Sequence, residues 1–170
     1  PMSTPNRIVL PAMDMNVSEG GEIEQSEIDH YASRAAGGAG LIITGACAIA
    51  FPYGAASMKE PGLSDDKFIP GIKALADAIH AAGSKLCIQS THHGKVARVD
   101  TANDRPVLAP NEPDYRYSMD ALADCTPEEL AKMGATTAGK QTTYHTMTKD
   151  DIDWLITSWA DAAERVAKGG

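Results

Sequence analysis

The chain has few cysteines, no long hydrophobic run and no excess of basic residues, and each absence excludes a class of protein. Its three cysteines are odd in number, far apart and without metal-ligand spacing, so we expect a reducing, cytoplasmic environment and no metal site. No apolar stretch approaches the roughly 20 residues of a membrane span and no signal peptide opens the sequence, so we expect no membrane association. The net charge of −8 argues against a nucleic-acid partner, because phosphates attract basic surfaces.

The order of the predicted elements indicates an α/β protein with a parallel sheet. Residues 7–13, 41–46 and 86–89 are short apolar runs that predict strands, the first of them buried on both faces. Two helices lie between these strands, and each has one apolar stripe. The stripes are Ile28, Tyr31, Ala32 and Ala35 in the first helix, and Ile72, Leu75, Ala76 and Ile79 in the second.

A long excursion, residues 94–147, follows the third strand. Within it, Thr126-Pro-Glu-Glu129 is a capping box, which predicts a short helix to about Met133. Thr148 caps a last helix that Gly169-Gly170 ends. Its predicted apolar stripe is Ile152, Leu155, Ile156, Trp159, Ala163 and Val166. The pattern contains three βα units and no fourth strand, and a three-stranded parallel sheet with two open edges does not look like a finished fold.

The polar residues after the third strand are the first candidates for a site. Polar groups at the carboxyl ends of parallel strands point into a ligand-binding crevice. The Gln89 carboxamide could hydrogen-bond the donor and acceptor edge of a pyrimidine-like ring, or it could satisfy a neighbouring backbone group. His92 and His93 point in opposite directions if the chain is extended, which argues against one shared metal, and we interpret His93 as a solvated loop residue.

The other two strands end in small residues. Ala12-Met13-Asp14 and Gly45-Ala46 would let a flat aromatic ligand lie close to the backbone, although simple tight packing explains either segment alone. Convergence of all three strand ends on one edge of the sheet favours a ligand site.

Five segments carry a family pattern in the same order: Ile88-Gln-Ser-Thr-His-His-Gly-Lys95 and residues 6–13, 31–43, 108–110 and 147–152. Together they resemble the amino-terminal part of the Old Yellow Enzyme family of flavin enzymes. The resemblance implies a (β/α)8 TIM barrel, of which this chain supplies about the first three βα units, with residues 1–170 forming the amino-terminal part of an FMN-binding barrel and residues 94–147 a decorated loop.

The resemblance also implies the chemistry and the residues of the site. The cofactor is FMN, NAD(P)H is the reductant, and longer members carry a 4Fe-4S cluster and FAD in regions beyond this chain. No catalytic residue is expected here, since the family's proton donor and substrate anchors come from strands four and five. The positions that match the family's flavin contacts are Pro11, Ala12, Met13, Asp14, Ala46 and Gln89, and His92 matches a residue near the substrate.

Two positions depart from the family pattern. Lys95 stands where an arginine is usual, and Asp14 replaces a residue, often threonine or cysteine, that tunes the flavin. A carboxylate at this position should disfavour the anionic reduced flavin, so we expect a lowered flavin reduction potential.

The leading hypothesis is an FMN-dependent oxidoreductase that passes hydride from NAD(P)H through flavin to an activated alkene or related small molecule, as a homo-oligomer. One alternative is an amine dehydrogenase or demethylase of the same family. A second is a non-catalytic half-barrel module that binds a partner chain supplying the missing strands, and a third, weaker one is a barrel enzyme without flavin.

Overall fold

The computed structural model describes residues 2–111 and 120–170. Its main sheet has three parallel strands in the order β1 (Val9–Leu10), β2 (Leu41–Ala48) and β3 (Lys85–Thr91). Helix α1 (Gln25–Ala36) connects β1 to β2, and α2 (Ile69–Ala81) connects β2 to β3. The strand–helix–strand order predicted from the sequence is therefore confirmed.

Helix α2 buries the whole apolar stripe that its periodicity predicts, whereas α1 buries only part of its stripe. Tyr31 and Ala35 of α1 form a core cluster with Ile42, Leu75 and Ile79. A second cluster joins the end of β2 to α2, and its members include Cys47, Ile49, Leu63 and Ile72. Both helices end next to a glycine with positive φ, Gly38 and Gly83, as glycine after a helix predicts.

The first strand is shorter and more exposed than predicted. Only Val9–Leu10 pair with β2, at Leu41 and Ile42, and the predicted strand over residues 7–13 is wrong in both length and burial. Ile8 and Met13 are more than 60% exposed. Among the described residues no strand lies on the outer side of β1, so its far edge is not covered.

The excursion after β3 contains more structure than the one predicted helix. It includes α3 (Arg98–Ala102), α4 (Asp120–Ala123) and α5 (Pro127–Ala135), together with β4 (Val107–Ala109) and β5 (Tyr144–Thr146). These two strands form a separate parallel pair that the sequence did not predict, while the main sheet has the three strands expected. The helix predicted from the capping box is α5, and both hydrogen bonds of that box are present.

The last helix, α6 (Lys149–Gly169), begins at the predicted cap Thr148, which forms a capping box with Asp151. Its predicted apolar stripe is correct only in part. Leu155 and Val166 pack against the core, with Ala162 fully buried between α6 and the rest of the fold. The remaining stripe residues, Ile152, Ile156, Trp159 and Ala163, are exposed, because the stripe is wider than the face that α6 presents to α2.

The helix ends at Gly169 and Gly170, as the sequence predicts, and Gly169, its last helical residue, is buried. A Cβ at Gly169 would lie 2.5 Å from Ile72 Cγ2, so the missing side chain allows the close packing of α6 on α2.

Candidate functional site

The carboxyl ends of the three main strands meet at one end of the sheet, which we call the strand edge. A bulge in β2 shapes the strand edge. Ile43 pairs with Cys87 and Ala46 with Gln89, so β2 advances three residues where β3 advances two. The extra residue lies at Thr44–Gly45. Side chains take over the hydrogen bonds that the ladder loses there: the Tyr31 hydroxyl accepts from Gly45 N at 2.8 Å, and Thr44 Oγ1 accepts from Gln89 N at 3.1 Å.

The bulge also brings the segment after β1 against the end of β2. Asp14 Oδ1 accepts a hydrogen bond from Ala46 N at 2.7 Å. A Cβ at Gly45 would lie 2.5 Å from the Met13 carbonyl oxygen and 2.8 Å from Asp14 Cα, so only glycine permits this approach. The backbone N–H groups of Gly45 and Ala46 are thus both occupied by side chains of the protein.

The six residues that match flavin contacts lie along this edge with different exposure. Pro11, Met13, Asp14 and Gln89 are exposed, Ala12 is half-buried and Ala46 is buried. No described residue hydrogen-bonds the Gln89 carboxamide, which leaves its donors and acceptors available to a ligand. The bulge, which no sequence pattern indicated, positions Ala46 and Asp14 relative to Gln89.

His92 and His93 follow β3 and have different partners, although the backbone at His93 is helical and not extended. The His92 ring lies edge-on to Trp154, with ring centroids 6.4 Å apart, and its Nδ1 accepts a hydrogen bond from Gly94 N at 3.2 Å. Burial lowers the pKa of His92. It lines a cavity of about 290 Å³ together with Tyr53 and Arg105, whereas Asp14 lines a different cavity.

His93 is not the solvated loop residue that we expected from the sequence. Its Nε2 lies 3.2 Å from Glu60 Oε1 in an ion pair, and the two side chains are only 18% and 3% exposed. The Glu60 carboxylate raises the pKa of His93; burial opposes this effect, while the charge of Asp14 acts in the same direction as Glu60. No local signal marked this pair, because Glu60 comes from the loop after β2.

Asp14 and Glu60 share the wall of one cavity of about 350 Å³, which we call the acidic cavity. Other wall residues are Asn16, Arg98, Asn103 and Thr136. Glu60 Oε2 is buried and has no hydrogen-bond partner among the described residues. The acidic cavity therefore adjoins the strand edge at Asp14 and carries more negative than positive charge.

In the part of the chain that the structure describes, no cluster of three or more His, Cys, Asp or Glu side chains has the arrangement of a metal site. Within residues 2–111 and 120–170, no helix combines the length and apolar character that crossing a membrane requires.

Comparison with known proteins decides the family. The model of the NADH:flavin oxidoreductase / NADH oxidase family matches residues 1–170. The chain belongs to this family. The resemblance to flavin oxidoreductases seen in the sequence is therefore confirmed.

Relatives within the NADH:flavin oxidoreductase family include two curated bacterial proteins. A metal reductase of Desulforamulus reducens is 35% identical over 133 residues, which cover 78% of this chain and 20% of the relative. An NADPH dehydrogenase of Halalkalibacterium halodurans is 37% identical over 142 residues, which cover 79% of this chain and 40% of the relative. The chain thus spans between a fifth and two fifths of the length of these relatives.

A solved structure supports the fold. Old Yellow Enzyme from Pichia sp. superimposes with a TM-score of 0.75 at 23% identity, over 98% of this chain and 40% of that one. The expected fold class, an α/β chain forming part of a TIM barrel, is confirmed by this similarity.

Proposed function

We propose that the protein is an FMN-dependent NAD(P)H oxidoreductase. When bound, FMN supplies the capacity to accept a hydride from NAD(P)H and to pass it to an activated alkene or a related acceptor. The observation that carries the proposal is the strand edge itself, where the unpaired Gln89 carboxamide lies next to the closely packed Met13–Asp14 and Gly45–Ala46 segments. Family membership over the whole chain supports it.

The residues of this edge fit a flat heterocycle. The Gln89 side chain offers a carbonyl acceptor and N–H donors, which match a ring edge that alternates the two. Ala12 and Ala46 have small side chains that let a ring lie against the backbone. Because Ala46 N already donates to Asp14, we propose that Ala46 acts through its small size and not as a hydrogen-bond donor.

His92 has a separate role in the proposal. It lies in the cavity with Tyr53 and Trp154, where burial lowers its pKa, so the neutral ring is favoured at neutral pH. We assign it to substrate contact and not to proton transfer.

An absorption spectrum of the purified native protein tests the proposal. We expect a flavin band near ~450 nm that NAD(P)H bleaches under anaerobic conditions. A protein that is colourless and takes up no added FMN would contradict the proposal.

A Gln89→Leu variant tests the role of the carboxamide. Each lost hydrogen bond, worth about 1 kcal/mol, should weaken FMN binding roughly fivefold. Gln141→Leu is the matched control, since Gln141 is exposed in the loop before β5 and far along the chain from the strand edge. Equal FMN affinity in the two variants would show that the Gln89 side chain does not bind FMN.

A further inference from the structure

A cavity next to the acidic one has the opposite charge. It has a volume of about 410 Å³, and we call it the cationic cavity. Lys95, Arg98 and Lys132 contribute its charged wall, and none of the described residues in that wall is acidic. Threonine hydroxyls, among them Thr101 and Thr142, which hydrogen-bond each other at 3.1 Å, supply further donors.

This concentration of positive charge is unusual for this chain. The sequence has 15 basic and 23 acidic residues, and exposed lysines elsewhere, such as Lys73 and Lys149, pair with a carboxylate one helical turn away. Arg98 forms no ion pair with any described residue. Lys132 does pair with Glu128 at 2.9 Å, but both side chains are more than 70% exposed, and such a pair gives way readily to a stronger partner.

The cationic cavity also borders the acidic cavity, which reaches the candidate flavin site at Asp14. Arg98 and Thr136 lie in the walls of both cavities, and the acidic cavity reaches Asp14 at the strand edge. A ligand with an anionic group in the cationic cavity could therefore extend past Arg98 towards that edge. Guanidinium, ammonium and hydroxyl donors together are the groups that bind phosphate oxygens.

We propose that the cationic cavity binds a phosphate or diphosphate group of a ligand whose reactive end reaches the strand edge at Asp14. The identity of the carrier rests on the proposed flavin chemistry: it is either the nicotinamide dinucleotide or a phosphate-bearing substrate. The binding of the anion itself does not depend on that chemistry.

Calorimetric titration of the purified protein with inorganic pyrophosphate tests the anion site. An Arg98→Gln, Lys132→Gln double variant should bind pyrophosphate at least tenfold more weakly, and wild-type affinity should fall with rising salt. Lys73→Gln on α2 is the control, because Lys73 carries the same charge but does not line the cavity, and this variant should bind as the wild type does. No binding by the wild type, or equal binding by the double variant, would overturn the proposal.

Two further measurements distinguish the carriers. If the phosphate belongs to the reductant, the double variant raises KM for NADPH and leaves kcat and the flavin spectrum unchanged. If it belongs to the substrate, coenzyme A displaces pyrophosphate from the wild type while KM for NADPH is the same in both proteins. Pyrophosphate binding with neither effect would mean an adventitious ion only and would overturn the assignment. Failure of the flavin proposal is seen separately, as a protein without FMN absorbance.

Discussion

His92 and His93 are consecutive in the sequence, yet their surroundings shift their pKa values in opposite directions. Burial lowers the pKa of His92, and the Glu60 carboxylate raises that of His93. The expectation that the two rings face opposite sides assumed an extended chain, but the backbone at His93 is helical. It did not predict Glu60 as a partner, since the pairing joins the end of β3 to the loop after β2.

Replacing His93 by alanine should destabilise the fold. The change leaves the Glu60 carboxylate buried without its partner, which costs about 3 kcal/mol. Denaturant unfolding at neutral pH measures the difference in the free energy of unfolding. A His93→Ala, Glu60→Gln double variant should lose less than the single variant, because no unpaired buried charge remains. A double variant that loses as much as the single one would contradict the ion-pair explanation.

The same ion pair predicts a pH dependence of stability. The pKa of His93 is raised in the folded state, so its contribution is complete below the unfolded-state value of about 6.5 and is lost as pH rises through the folded value. The difference in unfolding free energy between the wild type and Glu60→Gln should therefore shrink as pH increases above neutrality. A difference that is constant or grows over this interval would refute the assignment.

An Asp14→Asn variant should raise the reduction potential of bound FMN by tens of millivolts, because it removes a negative charge beside the proposed ring position. The asparagine carbonyl oxygen can still accept from Ala46 N, so the backbone arrangement is retained. Spectroelectrochemical titration measures the potential. Asp77→Asn on α2 is the control for net charge. If the two variants have the same reduction potential, the Asp14 carboxylate does not act on the flavin.

At the scale of elements, local signals predicted structure well and non-local ones did not. The stripe of α2 and the capping boxes at Thr126 and Thr148 depend on residues within a few positions of each other, and the structure has all three. The pairing of β4 with β5 joins segments more than 30 residues apart, so no local pattern reveals it. The candidate site follows the same rule, because strand ends and Gln89 were visible in the sequence but the bulge of β2 was not.

The first turn of α6 allows a direct test of a locally encoded element. Thr148→Ala removes the Oγ1 acceptor of Asp151 N and should lower the free energy of unfolding by about 1 kcal/mol. Thr157→Ala is the matched control, because that hydroxyl only bonds back to the Asp153 carbonyl within the same helix and is exposed. Thermal unfolding followed by circular dichroism should show a lower Tm for Thr148→Ala alone.

At the scale of the whole molecule, the described residues leave apolar surface that this fold does not cover. Ile152, Ile156 and Trp159 are exposed on the outer face of α6, and β1 and β3 are the edges of the three-stranded sheet. The half-barrel alternative would use this surface for a partner chain. Intact mass measured together with the absorption spectrum distinguishes it: a colourless species of about 17.9 kDa favours that alternative, and a larger yellow protein favours the oxidoreductase.

The burial of Cys47 makes its thiol a probe of how fast the core opens. Cys47 is 1% exposed, and burial raises its pKa to about 12, so the reactive thiolate is scarce in the native state. Cys87 is exposed on β3. A thiol reagent at neutral pH should therefore modify Cys87 promptly and Cys47 only at the rate at which the core opens. Peptide mass spectrometry of the labelled protein would time that opening, and prompt labelling of Cys47 would mean that the interior is already accessible to solvent.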